Sequence, residues 1–249
     1  MKPPVLMQPD WAAPANIRAL FTTREGGASQ GTFAGFNIGL GAGDAEESVM
    51  KNRELLRAEL PGEVTWLRQV HGTRCVKLPT TDDVTADAVW SDAVGTVCAV
   101  QVADCMPVLL ARRDGTAVAV AHAGWRGMAA GVIESTVTAM RADAAAVPLM
   151  AWLGPCIGPQ AFEVGPEVRE AFLDADPGAG LAFLERGQGK WLCSLPALAR
   201  RRLNRLGITA AYGGAFCTYS DPSRFFSYRR ATHEGVRTGR MAALIWRER

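Results

Sequence analysis

Histidine is scarce in this chain, with three residues among 249, and no cysteine pair has CxxC spacing. These shortages exclude zinc-finger frameworks and leave few nitrogen ligands for any multinuclear metal site. Charge of one sign is also missing: the formal net charge is +2, so the balance gives no reason to expect nucleic acid as a partner. No run approaches the roughly 20 apolar residues that would cross a bilayer, so no membrane partner is expected. The opening "MKPPVLMQPDW" places three prolines and an acid where a secretory leader would need a continuous apolar segment, and a cytoplasmic protein is the expectation. Neither GxGxxG nor GxxxxGK[ST] occurs, which removes the common phosphate-loop signatures. Repeats and low-complexity tracts are absent too.

What is present suits a globular domain, with 48% hydrophobic and 21% charged residues and no linker-like composition break. One domain over residues 1–249 is expected. Six scattered cysteines in a chain of this length are read as mostly small buried residues in a reducing compartment. The seven glycines of "GGASQGTFAGFNIGLGAGD" are read as turn formers. Apolar spacing predicts a helix over Asp44–Leu60 with a capping box from Asp44 to Glu47, and a long helix from Gly127 to about Ala146. Further helices are expected over Pro166–Phe172 and Ser194–Gly207. The runs "NIRALFTTR", "VTWLRQV", "TVCAVQVAD", "TAVAVA", "LMAWLGP", "ITAAYGGAF" and "MAALIW" read as strands, several with the two-sided burial of central positions. Helices and strands do not alternate strictly, so the fold class is α+β or irregular α/β.

Two histidines and one cysteine share a placement: His71, Cys105 and His122 each follow a strand-like run. If the strand ends meet on one rim, two imidazoles and a thiolate make a zinc set with an open fourth position. The separations, 34 residues from His71 to Cys105 and 17 more to His122, match no short zinc pattern. A cysteine nucleophile with a histidine base, and three satisfied polar groups at strand ends, therefore stay open as readings. Arg126, in a glycine-flanked turn before a helix, fits either an anion site or a surface ion pair. Arg224, Arg229, Arg230, Arg237 and Arg240 alternate with Phe225, Phe226 and Tyr228, offering cations and stacking faces to a flat or phosphate-bearing ligand, or to ordinary packing.

The motifs "FTTREGGASQGTFAGFNIG", "LRQVHG", "VQVADCMPVLL", "VAHAGWRG", "LGPCIGP" and "CTYSDPSRFFSYRR" with "TGRMAALIW" together resemble the laccase-domain family, also called polyphenol oxidase or YfiH-like. The resemblance spans nearly the whole chain. It implies an α+β sandwich of mixed sheets flanked by helices, and a mononuclear zinc held by His71, Cys105 and His122. It implies purine nucleoside phosphorylase activity with nucleoside and phosphate as partners, adenosine deamination as a second activity, and Arg24, Asn37 and Gln69 as pocket-wall residues. Copper-dependent phenol oxidation, suggested by the older family name, is the less favoured alternative because three histidines are too few for a multicopper centre. Hydrolytic editing of peptidoglycan precursors is another. The segment "ATHEGVR" (231–237) is longer than the link expected there, so His233 receives no role. The sequence leaves the oligomeric state open.

Overall fold

The structure is a computed structural model and describes residues 2–249. It opens with strands β1 (Leu6–Met7) and β2 (Ile17–Thr22), then glycine-rich 3₁₀ turns and helix α1 (Glu46–Arg57). Strands β3 (Cys75–Lys77), β4 (Ala88–Ser91), β5 (Cys98–Val102), β6 (Met106–Arg112) and β7 (Val118–Ala123) follow. Next come helices α2 (Trp125–Ala130) and α3 (Val132–Arg141), strands β8 (Leu149–Leu153) and β9 (Glu163–Val164), and helix α4 (Pro166–Leu173). The hairpin β10 (Phe183–Gly187) and β11 (Lys190–Cys193), helix α5 (Leu195–Arg205), β12 (Ala211–Gly213), α6 (Tyr228–His233) and β13 (Met241–Arg247) complete the chain.

Two sheets form the body. A four-stranded antiparallel sheet runs β1-β2-β13-β5, and a six-stranded mixed sheet runs β12-β8-β6-β7-β4-β3. Side chains alternate between faces along each strand, so one strand can serve two cores. Val100 and Val102 of β5, Ala243 and Ile245 of β13, Leu109 of β6 and Val118 and Val120 of β7 share the layer between the sheets. The opposite faces carry Val108, Leu110, Ala119 and Ala121 toward α3 and α5, and Ala99, Ala242 and Leu244 toward α1. The result is a β-sandwich covered by helices on both outer faces, the α+β architecture expected. This two-sided burial explains the near-continuous valine and alanine of the central strands.

Several local expectations need correction. Helix α1 begins at Glu46 without a side-chain cap, because Asp44 accepts from Asn37 Nδ2 and Ala45 N instead. The long helix starts earlier, at Trp125, and breaks at Gly131, whose φ of +103° ends α2 before α3 begins. "VTWLRQV" is not a ladder strand: it makes single bridges at Val64 and Arg68, and the Gln69 amide takes both the N–H and the C=O of Gln101. "ITAAYGGAF" shrinks to three residues because Gly213 and Gly214 both adopt positive φ. Apart from these corrections, Arg201 and Arg205 of α5 pair with Asp176 and Arg202 pairs with Glu134, which ties the helix to its neighbours. In the glycine-rich segment, Ser29 and Gly35 form an antiparallel bridge, and a Cβ on Gly35 would lie 1.9 Å from the Arg24 carbonyl oxygen.

Leu109 faces the inter-sheet layer, fully buried between Val120 and Trp152 in register. Leu109→Ala is expected to lower unfolding free energy by roughly 2–5 kcal/mol, read from the guanidinium midpoint at unchanged slope. A loss below about 1 kcal/mol would contradict the packing described.

Candidate metal centre

The sandwich opens at one end, where the chain crosses between sheets. Strand β5 belongs to the smaller sheet and β6 to the larger, and the turn joining them carries Asp104 and Cys105. His122 lies near the end of β7, paired with Pro107 of β6, on the face that points between the sheets. His71 arrives from a loop. Its φ of +59° is in the left-handed region, as is that of Asp104 at +81°, and non-glycine residues there carry strain that needs support.

That support is one carboxylate. Asp87, fully buried just before β4, accepts from the backbone N–H of Val70 (3.0 Å), His71 (2.9 Å) and Gly72 (2.7 Å). The same carboxylate lies 2.8 Å from His122 Nδ1, and the Asp87 carbonyl accepts from His122 N at 2.7 Å. It therefore holds the His71 loop in its left-handed turn and leaves His122 Nε2 as the ligating atom. On the other side, Asp104 accepts from Thr218 Oγ1, Ser227 Oγ and Arg229 N, which binds the C-terminal arginine-aromatic segment to the turn bearing Cys105.

The ligating atoms of His71, Cys105 and His122 all lie within 4.8 Å of one another, with Cys105 Sγ 3.8 Å from His71 Nε2. A tetrahedral ion bound at about 2.0–2.3 Å holds its ligands roughly 3.3–3.8 Å apart, so the set fits one ion after slight contraction. Space is kept for it: a Cβ on Gly124 would lie 2.8 Å from Cys105 Sγ and 3.2 Å from His71 Cδ2. The glycine of "HAGWRG" thus has a steric reason. Burial opposes ionisation of the Cys105 thiol, but the charge and hydrogen bonds of His122 and then His71 bring its pKa down to about 6. Burial would lower His122 as well, and Cys105 together with Asp87 raises it to about 9.

The cluster borders a cavity of about 740 Å³, within the range of small-molecule sites. Gln69, Arg126 and Arg240 line it, together with Trp125, Phe162 and Tyr228. Arg126 is exposed and lies 4.4 Å above the Trp125 ring. Two of the expected wall residues are elsewhere. Arg24 donates to the carbonyls of Pro222 and Ala34 and borders a separate depression of about 210 Å³. Asn37 is buried behind the wall, where its Oδ1 accepts from Gly39 N and Arg240 N. His233 also lies outside the cavity, with Nδ1 3.3 Å from Tyr219 Oη. Asp87 was not singled out as a site residue from sequence, whereas Arg240 was one of five arginines read there as open to a ligand or to ordinary packing. For Asp87 the available signal was an acid set between alanines at the edge of an apolar run.

The sequence profile described as "Multi-copper polyphenol oxidoreductase laccase" matches residues 18–248. A protein of Pseudomonas aeruginosa named purine nucleoside phosphorylase is 48% identical, over 96% of this chain and 97% of its own length. Purine nucleoside phosphorylase YfiH of Escherichia coli is 46% identical, over 97% of this chain and 98% of its own. Among solved structures, a Neisseria meningitidis protein of 47% identity superposes with a TM-score of 0.90, covering 98% of this chain and 99% of that one. YlmD of Geobacillus stearothermophilus, 31% identical, gives 0.85 over 94% of this chain and 93% of its own.

Two outcomes test the centre. Asp87→Asn removes the acceptor charge that orients His122 and the His71 loop, and zinc affinity by chelator competition should fall about 10–100-fold while far-UV circular dichroism is kept. For the unaltered protein the proton count sets the pH dependence. Between about pH 6 and 9 the thiolate is formed and His122 is still protonated, so metal displaces one proton and affinity should rise about tenfold per pH unit. The rise should steepen below about pH 6, where the thiol must also ionise, and level off above about pH 9.

Proposed function

We propose, for a chain that belongs to the laccase-domain family, that this cavity is the centre of a zinc-dependent purine nucleoside phosphorylase acting on adenosine, inosine or methylthioadenosine, with adenosine deamination as a second reaction of the same site. The observation that carries the reading is a histidine–cysteine–histidine cluster set in a cavity with arginines and aromatic rings. The names borne by relatives 44–48% identical support the same activity. Two imidazoles and a thiolate suit zinc by ligand softness, and His71, Cys105 and His122 would hold it with one position free. A zinc bound there would supply Lewis acidity to an oxygen at that free position.

The chain's own groups supply the rest. In phosphorolysis a phosphate oxygen forms a bond to ribose C1′ while the C1′–N9 bond breaks. The bonding pair leaves on the purine, which gains the proton lost by hydrogen phosphate. The cavity must therefore hold an oxyanion and an aromatic base side by side. Arg126, Arg229 and Arg240 bring positive charge, and Trp125, Phe162 and Tyr228 bring flat apolar surface. The Gln69 amide is already paired with the Gln101 backbone, so it shapes the wall instead of offering free hydrogen bonds.

Incubation of zinc-loaded protein with adenosine and inorganic phosphate should yield adenine and ribose 1-phosphate, with release dependent on phosphate. Inosine and ammonia in its place would mark deamination, and absence of all these products would sink the reading. Cys105→Ala should lower turnover by more than about 100-fold, beyond the usual effect of an outer-shell change, while the metal-free thermal midpoint stays near that of the unaltered chain. Oxygen uptake with stoichiometric copper would instead favour phenol oxidation.

A further inference from the structure

Four arginines line the cavity, Arg68, Arg126, Arg229 and Arg240, and they differ in what they already hold. Arg68 is 74% exposed, with Nε on Thr85 Oγ1 and Asp83 at 4.0 Å. Arg229 covers the Phe162 ring and donates to the Glu163 carbonyl. Arg126 is exposed over Trp125. Arg240 alone is half-buried with most of its fork uncommitted. Its Nη1 donates to the carbonyls of Thr238 (2.9 Å) and Gly239 (3.1 Å), while Nε and Nη2 have no protein acceptor among the described residues.

No carboxylate pairs with Arg240 among the described residues. Asp104, an acid whose charge reaches Arg240, already accepts from Thr218, Ser227 and the Arg229 backbone. Burial pulls the pKa of the Arg240 guanidinium below the ordinary arginine value, and the neighbouring Cys105, Tyr228 and Asp104 oppose that only in part. A partly buried cation with no carboxylate paired to it is costly, and an oxyanion presented to its free edge gains more there than at an exposed arginine.

The side chain is also held in place. Arg240 N donates to Asn37 Oδ1 at 2.8 Å, and the Arg240 carbonyl accepts from Ile38 N at 3.1 Å. Its stem lies across Gly39, where a Cβ would sit 2.6 Å from Arg240 Cγ and 2.9 Å from Arg240 Cβ. Asn37 Oδ1 accepts from Gly39 N as well, so one buried amide positions both partners.

We propose that Arg240 is the oxyanion-binding residue of the cavity. Its Nε and Nη2 edge takes two oxygens of inorganic phosphate beside the His71, Cys105 and His122 cluster, and Asn37 and Gly39 hold it there as positioning residues. This rests on the phosphorylase reading for the identity of the anion, and the geometry of the arginine stands apart from it.

The test is calorimetric titration of the zinc-loaded full chain with inorganic phosphate, without nucleoside. Arg240→Met should weaken phosphate binding about 10–100-fold with zinc stoichiometry unchanged, and Arg240→Lys should recover only part because it lacks the two-pronged edge. If Arg240→Met fails to fold, Gly39→Ala serves instead: it displaces the stem but keeps the charge, and should weaken phosphate in the same direction. Undiminished binding in these variants, a larger loss in Arg126→Met, or no phosphate binding by the unaltered chain would overturn the assignment. Phosphate binding that depends on Arg240 without nucleoside cleavage would remove the phosphorylase reading and leave the subsite. Cleavage whose KM for phosphate is unmoved in Arg240→Met would do the reverse.

Discussion

The buried carboxylate of Asp87 holds together groups that the chain supplies from two separate places, the loop at 70–72 and His122 of β7. It has no accessible surface, and burial pulls its pKa upward; the bond to His122 and the N–H groups of Gly72 and Val70 more than reverse that, so it stays ionised. An unpaired buried carboxylate would cost several kcal/mol, which is why its donors come as a set. The left-handed turn at His71 places successive N–H groups on one side of the chain, where a single anion meets all three. The strain at His71 and the burial of Asp87 therefore offset each other. Removing either leaves the other without its reason.

From this constraint the remaining geometry follows outward. Asp87 precedes β4, which pairs with β7, so the acid and His122 are placed by the register of one antiparallel ladder. Cys105 enters from the turn where the chain leaves one sheet for the other, and the ladder of β6 with β7 sets it beside His122. Gly124 and Gly127 then allow α2 to pack close: an added Cβ would lie 2.8 Å from Cys105 Sγ at the first and 3.0 Å from the Gly72 carbonyl oxygen at the second. A second acid, Asp104, performs the matching task on the far side by capturing the C-terminal segment. The cavity is the gap left between these two anchored edges, and its arginines come from α2, from α6 and from the loops bearing Arg68 and Arg240.

Much of this was legible along the chain where the physics is local. Alternation and β-branched content marked β5, β7, β8 and β13, the apolar face of α3 was read correctly because helical spacing is a property of neighbours, and α5 was placed by the capping residues at its ends. Met128, Val132, Ile133, Val137 and Met140 are all buried as that spacing required. Where side chains compete with the backbone, the reading failed. Gln69 substitutes an amide for a strand partner, Asp44 is drawn to Asn37 instead of capping a helix, and Gly131 divides one apolar period into two helices. None of these choices is visible in composition, since each depends on a residue that is distant or on one backbone angle.

The sequence by itself limited the candidate ligands: it has three histidines, two of which, like Cys105, follow apolar runs, and the resemblance to the family singled out His71, Cys105 and His122 among the readings left open. Its motifs also sufficed to place the chain in its family. Tertiary structure alone decided which acid orients the ligands and which arginine faces the cavity uncommitted. Asn37 meets Arg240 across 203 residues and Asp104 meets the Arg229 backbone across 125. Contacts of that separation carry no periodic signal in a single chain. They exist only once sheet register has closed the long loops between them.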